Sequence, residues 1–204
     1  MLLKFFGNTI NQKHIDQIVQ TLKKDGIIVI PTDTVYAFAC DIYSSKAFDA
    51  ICRLKGVKTE KANFSFVCND LSKISDFTKP YSNEIFRLMK NSLPGPFTFI
   101  LNANNNVPAI FKSNKKTIGI RVPDNDIARA IVEALGHPIM VTSVHDEADE
   151  MLEYITDPDE IEDRLGQRVD LVVDGGTSEF EPSTVIDCTS ETPVIIRQGK
   201  GVLE

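Results

Sequence analysis

The sequence lacks the long apolar run that a membrane-spanning helix requires. No stretch of its 204 residues approaches about 18 consecutive apolar side chains. Residues 1–7 contain neither a long apolar segment nor the small-residue cleavage site that ends a secretory signal. With 42% hydrophobic and 25% charged residues, the composition is that of an ordinary globular protein. We therefore expect one cytoplasmic domain over residues 1–204, with no membrane partner.

Residues that bind metals are also scarce. The four cysteines form no C-x-x-C pair, and the three histidines lack the spacing of zinc ligands. We expect no structural metal, and we interpret the cysteines as buried apolar residues of a reducing compartment. A P-loop, a G-x-G-x-x-G loop and a Ser-His-Asp arrangement are absent as well. Phosphate binding would therefore depend on cations and on hydroxyls at strand ends.

The net charge of −7 hides an uneven distribution. Residues 1–142 hold 18 Lys/Arg and 12 Asp/Glu, whereas residues 143–204 hold 4 and 17. Such asymmetry is informative about binding. The acidic average therefore does not exclude a basic, anion-binding cleft in the first part of the chain.

Hydrophobic periodicity and turn residues predict both helices and strands. One predicted helix has Asn11 as its N-cap and stops at Gly26, and two more cover 46–54 and 83–91. A fourth covers 125–135, with Asn125 as its N-cap and Gly136 as its stop, and a fifth starts at the N-cap Asp157. The predicted strands cover 2–6, 27–30, 63–68, 97–102, 117–122, 139–142, 170–173, 184–188 and 194–197. Because strands and helices do not alternate strictly, we expect an α/β fold of the α+β type, with a mixed sheet flanked by helices.

Polar side chains follow the predicted strand 27–30. Thr32, Asp33 and Thr34 come directly after Pro31, and apolar residues then return. Ligands of α/β proteins commonly bind where strands end. The same side chains can equally cap a turn by bonding to nearby backbone. Both interpretations stay open.

Positive charge is concentrated near residue 55. Four cations lie in nine residues at a helix end: Arg53, Lys55, Lys58 and Lys61. Lysine at a helix C-terminus is favourable to the helix dipole, so a solvated helix end is one interpretation. A phosphate-binding loop is the other, because ammonium groups pair well with phosphate.

Four further polar positions lie in or at the ends of predicted strands. Arg121 lies in an apolar strand, on the same face as Thr117 and Gly119. A buried arginine must be paired or must meet an anion, and its fork suits a carboxylate or a phosphate. Ser143, Ser183 and Arg197 also begin or end predicted strands.

Five motifs in order resemble those of the YrdC/YciO family, over about residues 10–200. They are PTDTVYAFACD at 31–41, LPGPFTFIL at 93–101, TIGIRVP at 117–123, PSTVID at 182–187 and IIRQG at 195–199. The resemblance implies a twisted mixed sheet with a basic concave surface that binds nucleotides and double-stranded RNA. The best-known members are L-threonylcarbamoyladenylate synthases, which join threonine, bicarbonate and ATP for the threonylcarbamoyl-adenosine modification of tRNA.

The resemblance also implies roles for individual residues. Arg121 would hold the carboxylate of threonine. The other substrate-binding positions would be Thr32, Thr34 and Ser183. Nucleotide-binding positions would be Lys61, Thr117 and Arg197, and catalytic positions would be Lys55, Lys58 and Ser143. ATP would be a substrate accompanied by Mg²⁺, and AMP, tRNA or double-stranded RNA are further expected partners.

The chain departs from the family pattern at a few positions. Val57 stands where the pattern has arginine after Lys55, and His145 stands where it has asparagine after Ser143. Ala37 and Ala39 replace two glycines of the first motif. Ten carboxylates follow between 146 and 163. These departures indicate the YciO-like branch.

Two main hypotheses follow for the function. The first is an ATP-using threonylcarbamoyl-AMP synthase, which acts through positioning and charge neutralisation. The second is a non-catalytic protein that binds nucleotides, tRNA or double-stranded RNA through a basic cleft. A different small-molecule reaction in the same cleft is the third alternative.

Overall fold

The strands and helices of the protein form one mixed sheet with five α-helices. The structure is a computed structural model, and it describes residues 1–5, 10–111, 116–144 and 154–203. The strands are β1 (Leu2–Lys4), β2 (Ile28–Ile30), β3 (Ala37–Asp41), β4 (Ser65–Val67), β5 (Phe97–Asn102), β6 (Thr117–Arg121), β7 (Ile139–Ser143), β8 (Leu171–Asp174), β9 (Thr184–Asp187) and β10 (Val194–Arg197). The helices are α1 (Gln12–Lys23), α2 (Ser45–Leu54), α3 (Asn83–Ser92), α4 (Asp126–Leu135) and α5 (Pro158–Leu165). Short 3₁₀ turns cover Thr59–Lys61, Ile74–Asp76 and Ala109–Phe111.

The sheet contains parallel and antiparallel pairs. Its strand order is β1-β8-β2-β3-β7-β4-β6-β5-β9-β10. The pairs β1–β8, β2–β8, β4–β6 and β5–β9 are parallel, whereas β2–β3, β3–β7, β4–β7, β5–β6 and β9–β10 are antiparallel. The predicted mixed sheet with helices on its faces is therefore confirmed.

Each face of the sheet has its own hydrophobic cluster. Helices α1 and α4 pack on one face, where the buried sheet residues come from β1, β2, β3, β7, β8 and Val67 of β4. Helices α2, α3 and α5 supply Phe48, Ile85 and Ile161 to the cluster on the other face, which extends to β5, β6 and β9. The second cluster therefore spans strands that the first does not reach.

Local sequence explains where most helices begin and end. Asn11 accepts a hydrogen bond from the Lys13 amide at the start of α1, and Asn125 accepts one from the Ala128 amide at the start of α4. Gly136 ends α4 with φ of 88°, in the left-handed region that favours glycine. These predicted caps are confirmed. In the part of the chain that the structure describes, no helix combines the length and apolar composition needed to cross a bilayer.

Strand β3 was not predicted. All five of its residues are buried, and Ala37–Cys40 are all apolar. The sequence therefore shows no alternation of polar and apolar side chains here. A strand buried on both faces loses the period of two that identifies strands in a sequence.

Candidate functional site

The candidate site lies on the half of a sheet face that no helix among the described residues packs against. Side chains of β5, β6 and β9 that share the α1/α4 face do not belong to the cluster built by those helices, among the described residues. Most of them are half-buried. We call this surface the open face, and it consists of Ser65, Thr98, Ile100, Asn102, Thr117, Gly119, Arg121, Val185, Asp187 and Arg197. The strand register places these residues side by side.

Arg121 ends β6 at one corner of the open face. Its Nη2 lies 2.9 Å from Oδ1 of Asp33 and donates to Oγ1 of Thr34 at 3.1 Å. Both side chains of the ion pair are buried, with exposed fractions of 8% for Arg121 and 7% for Asp33. The other Asp33 oxygen accepts a hydrogen bond from the Asp124 amide at 3.1 Å. Asp33 therefore holds the guanidinium in one orientation.

A second donor of the same guanidinium is unused. Nε of Arg121 is buried and has no hydrogen-bond partner in the described structure. Burial lowers the pKa of Arg121, Asp33 raises it, and the positive charge of Arg197 lowers it again. An unsatisfied buried donor costs about 1–3 kcal/mol. The site therefore favours an anion that accepts from Nε.

The loop that carries Thr32 and Thr34 is internally bonded. Thr32 donates from Oγ1 to the Val35 carbonyl at 2.8 Å and accepts from the Thr34 amide at 3.1 Å. The two hydroxyls lie 3.1 Å apart. The turn interpretation is therefore confirmed: Thr32 stabilises the turn, and the turn places the Thr34 hydroxyl against Arg121.

Ser183 lies on the same face as Arg121, just before β9. Its hydroxyl lies 2.8 Å from that of Thr98 in β5, and both residues are buried. Arg197 of β10 donates from Nη2 to the Ser183 carbonyl at 2.8 Å and to its hydroxyl at 3.4 Å. The structure thus brings Arg197, Ser183 and Arg121 to one region of the open face.

Lys55 approaches the site from the other side of the sheet. It caps the C-terminal end of α2, is 7% exposed, and donates from Nζ to the Ser143 carbonyl at 2.8 Å. Val57 packs against the hydrophobic cluster and lines a small apolar recess with Phe64 and Lys55. The position of the family's arginine is therefore occupied by an apolar contact.

Two predicted lysines are exposed, and Thr117 begins the strand that Arg121 ends. Lys58 and Lys61 are exposed, beside and within the turn Thr59–Lys61. Thr117 is half-buried at the start of β6, four residues before Arg121, which corresponds to about 13 Å along the strand. His145 and residues 146–153 of the acidic segment lie outside the described residues.

Two residues of the candidate site were not predicted in the roles that the structure shows. Thr98 lies in the motif at 93–101, for which the family resemblance implies no residue role, and for Asp33 both a capped turn and a ligand site stayed open. A buried Arg121 requires a charged partner. Asp33, a carboxylate in one of the matched motifs, could therefore have been predicted as that partner. Nothing in the sequence indicated that Thr98 faces Ser183.

Asp33 also borders a second, polar depression. A cleft of about 460 Å³ lies beyond the loop and is lined by Asp124, Glu179 and Lys200 as well as by glycines and prolines. Lys200 donates from Nζ to the Asp33 carbonyl at 3.0 Å and pairs with Glu179 at 3.1 Å. No group of three or more potential ligands that could hold a metal occurs among the described residues. The open face thus carries the cations Arg121 and Arg197, and the carboxylates of Asp33 and Asp187 neutralise part of their charge.

Comparison with known proteins gives a consistent match. The family model for Sua5, YciO and YrdC, described as telomere recombination, matches residues 20–199. The uncharacterized protein YciO of Escherichia coli K12 is 44% identical over 191 residues, covering 93% of this chain and 91% of YciO. The crystal structure of E. coli YciO has a TM-score of 0.91 at 40% identity, covering 100% of this chain and 98% of that one.

Two more distant matches carry a name or a ligand. The threonylcarbamoyl-AMP synthase of Bacillus subtilis 168 is 28% identical over 192 residues, which cover 93% of this chain and 54% of the synthase. The structure of P. abyssi Sua5 complexed with L-threonine has a TM-score of 0.88 at 22% identity, covering 98% of this chain and 57% of Sua5. At that identity the second likeness shows the fold alone.

Proposed function

Because the chain belongs to the Sua5/YciO/YrdC family, we propose that it is a nucleotidyltransferase that makes threonylcarbamoyl-AMP from threonine, bicarbonate and ATP. The product would serve the threonylcarbamoyl-adenosine modification of tRNA. The distant relative from B. subtilis is named for this activity. Support from this chain's own residues comes from the anion-binding corner at Arg121.

The single observation that carries the proposal is the unused Nε of buried Arg121. Asp33 and Thr34 occupy Nη2 and fix the plane of the guanidinium. A carboxylate that accepts from Nε would satisfy a donor that the protein alone leaves without a partner. The α-carboxylate of L-threonine is such a group, and Thr34 and Ser183 lie beside it for further hydrogen bonds.

The proposed reaction needs positioning more than acid–base chemistry. The threonine amine adds to the carbon of bicarbonate, and water leaves, which gives a carbamate. A carbamate oxygen then attacks the α-phosphorus of ATP, and pyrophosphate leaves. Holding the two reactants in line converts the second step into an effectively unimolecular one. Arg121 would fix the threonine end for this attack.

The nucleotide would lie along the open face. Thr117 and Arg197 flank Ile100 and Val185, whose half-buried side chains offer apolar surface to a base. At the end of β7, Lys55 donates to the Ser143 carbonyl, and Lys58 and Lys61 follow Lys55 closely in the sequence. These lysines would neutralise the triphosphate, and Mg²⁺ would arrive bound to its phosphates.

The test is pyrophosphate release by the purified protein. With L-threonine, bicarbonate and Mg-ATP we expect pyrophosphate, and with threonine omitted we expect none. Arg121→Ala should abolish the activity, and Ser183→Ala should weaken it without removing a buried charge. Arg87→Ala is the matched control, since Arg87 is an exposed residue of α3. No threonine-dependent pyrophosphate at high enzyme concentration would overturn the proposal.

A second experiment asks whether the two departures limit the rate. Val57→Arg combined with His145→Asn restores the family pattern. A restored cation that stabilises the transferring phosphate is worth on the order of 10²-fold in rate. An increase of this kind would indicate that the rest of the cleft is intact. An unchanged rate would show that Val57 and His145 do not limit the reaction.

Val57 itself favours a second candidate function. Since it packs in an apolar recess beside Lys55, no cation stands at this position to clamp a phosphate. The alternative is a protein that binds nucleotides or structured RNA without efficient catalysis. Affinity for a duplex RNA should then fall steeply with salt, because phosphate neutralisation releases counterions. Absent or salt-insensitive binding would remove this candidate.

A further inference from the structure

We infer that Thr98 is a positioning residue that fixes the direction of the Ser183 hydroxyl at the threonine end of the site. The inference rests on the proposed function, and it adds a residue to which neither the sequence motifs nor the relatives assign a role. Thr98 acts through Ser183 and does not itself touch the substrate.

The register of three strands places Thr98 between the groups that would bind the substrate. Phe99 of β5 pairs with Ile120 of β6, so Thr98 lies beside Arg121 on the same face. On its other side Thr98 pairs with Val185 of β9. Ser183 precedes Val185 by two residues and therefore shares this face. The Thr98 and Ser183 hydroxyls meet at 2.8 Å.

The hydrogen bonds of Ser183 explain what Thr98 does. Arg197 donates to the Ser183 hydroxyl oxygen at 3.4 Å, and a guanidinium can only donate. The Thr98 hydroxyl forms a hydrogen bond with the Ser183 hydroxyl, and the exposed fraction of residue Thr98 is 6%. When Thr98 donates to Ser183, both lone pairs of the serine oxygen are occupied. The serine proton is then the one left to point at a ligand.

The charges nearby favour the same arrangement. Arg121 and Arg197 are close enough for the positive charge of Arg197 to lower the pKa of Arg121. A hydroxyl beside two cations turns its oxygen toward them and its proton toward an anion. A carboxylate bound at Nε of Arg121 would therefore receive a second hydrogen bond from Ser183. Without Thr98, the serine hydroxyl rotates and this bond is made only part of the time.

The experiment compares two substitutions at Thr98. Thr98→Val keeps the shape of the side chain but loses the hydroxyl, whereas Thr98→Ser keeps the hydroxyl. We expect Thr98→Val to weaken L-threonine binding about tenfold, by calorimetry and by the KM for threonine. The KM for ATP should stay within a factor of two (about 0.4 kcal/mol), and Thr98→Ser should bind threonine as the wild type does.

A double-mutant cycle tests whether Thr98 acts through Ser183. In a Ser183→Ala background, Thr98→Val should cause no further loss of threonine affinity, because the hydroxyl it orients is gone. A purely structural role would lower threonine and ATP affinity together and would persist in the Ser183→Ala background. Either of those results, or unchanged threonine affinity in Thr98→Val, overturns the inference. Absence of threonine binding by the wild type would instead overturn the proposed function.

Discussion

Arg121→Met should destabilise the protein far more than the same substitution at an arginine whose carboxylate partners are exposed. The substitution keeps most of the side-chain volume but removes the partner of Asp33, whose side chain is 7% exposed. Breaking a buried ion pair by removing one partner costs about 3–5 kcal/mol, because the other charge is left buried. The Asp124 amide still donates to Asp33, which favours the lower end of that range. For a chain of this size about 3 kcal/mol lowers Tm by about 10 °C.

The assay is urea and thermal unfolding, with Arg129→Met as the control. Arg129 pairs with Asp124 and Asp126, which are 71% and 69% exposed, so its loss should cost less than about 1 kcal/mol. Adding Asp33→Asn to Arg121→Met removes the stranded charge and should recover part of the stability. If Arg121→Met cost no more than Arg129→Met, the ion pair would not be desolvated, and the argument for an anion-binding corner would fail.

Three further predictions concern backbone, cysteine chemistry and packing. Gly136→Ala should lower the free energy of unfolding by about 1 kcal/mol, because φ is 88° there and alanine adopts this conformation only with strain. Among the described residues, no atom outside its immediate chain neighbours lies within 4 Å of the added Cβ, so no clash contributes. An unchanged urea midpoint would contradict this prediction. Burial raises the pKa of Cys52 and Cys188 to about 11 and that of Cys68 to about 12, so at pH 8 these thiols are protonated. Ellman's reagent should therefore react with none of the four buried cysteines in the native protein and with all four in denaturant. A single cysteine that reacts rapidly in the native protein would refute this prediction. Gly201→Ala places a Cβ 2.5 Å from the Phe97 ring and should cost about 1–3 kcal/mol by overpacking, measured against Gly136→Ala.

Several elements were predictable because their information is local. The strands at 97–102 and 194–197 and the helix between Asn125 and Gly136 have the predicted bounds within one residue. Their patterns depend on side chains a few positions apart, on an N-cap, or on a glycine that stops a helix. The four cysteines are buried, as their interpretation as packing residues required.

The candidate site was predictable only in its parts. Motif likeness indicated Arg121, Thr34 and Ser183, and the buried arginine demanded a partner. Its partner Asp33 lies 88 residues away in the chain, and Thr98 lies 85 residues from Ser183. Pairings at such separations depend on strand order and register, which local periodicity does not determine.

The sequence by itself determined the mixed fold class, most helices and strands, the caps of α1 and α4, and membership of a family with known motifs. The tertiary structure decided which half of a sheet face lies outside the α1/α4 cluster, that Asp33 holds Arg121, and that one guanidinium donor has no partner among the described residues. It also decided that Val57 faces an apolar recess. The physical reason is that propensities and caps act within a few residues, whereas burial and hydrogen-bond satisfaction depend on segments brought together from the whole chain.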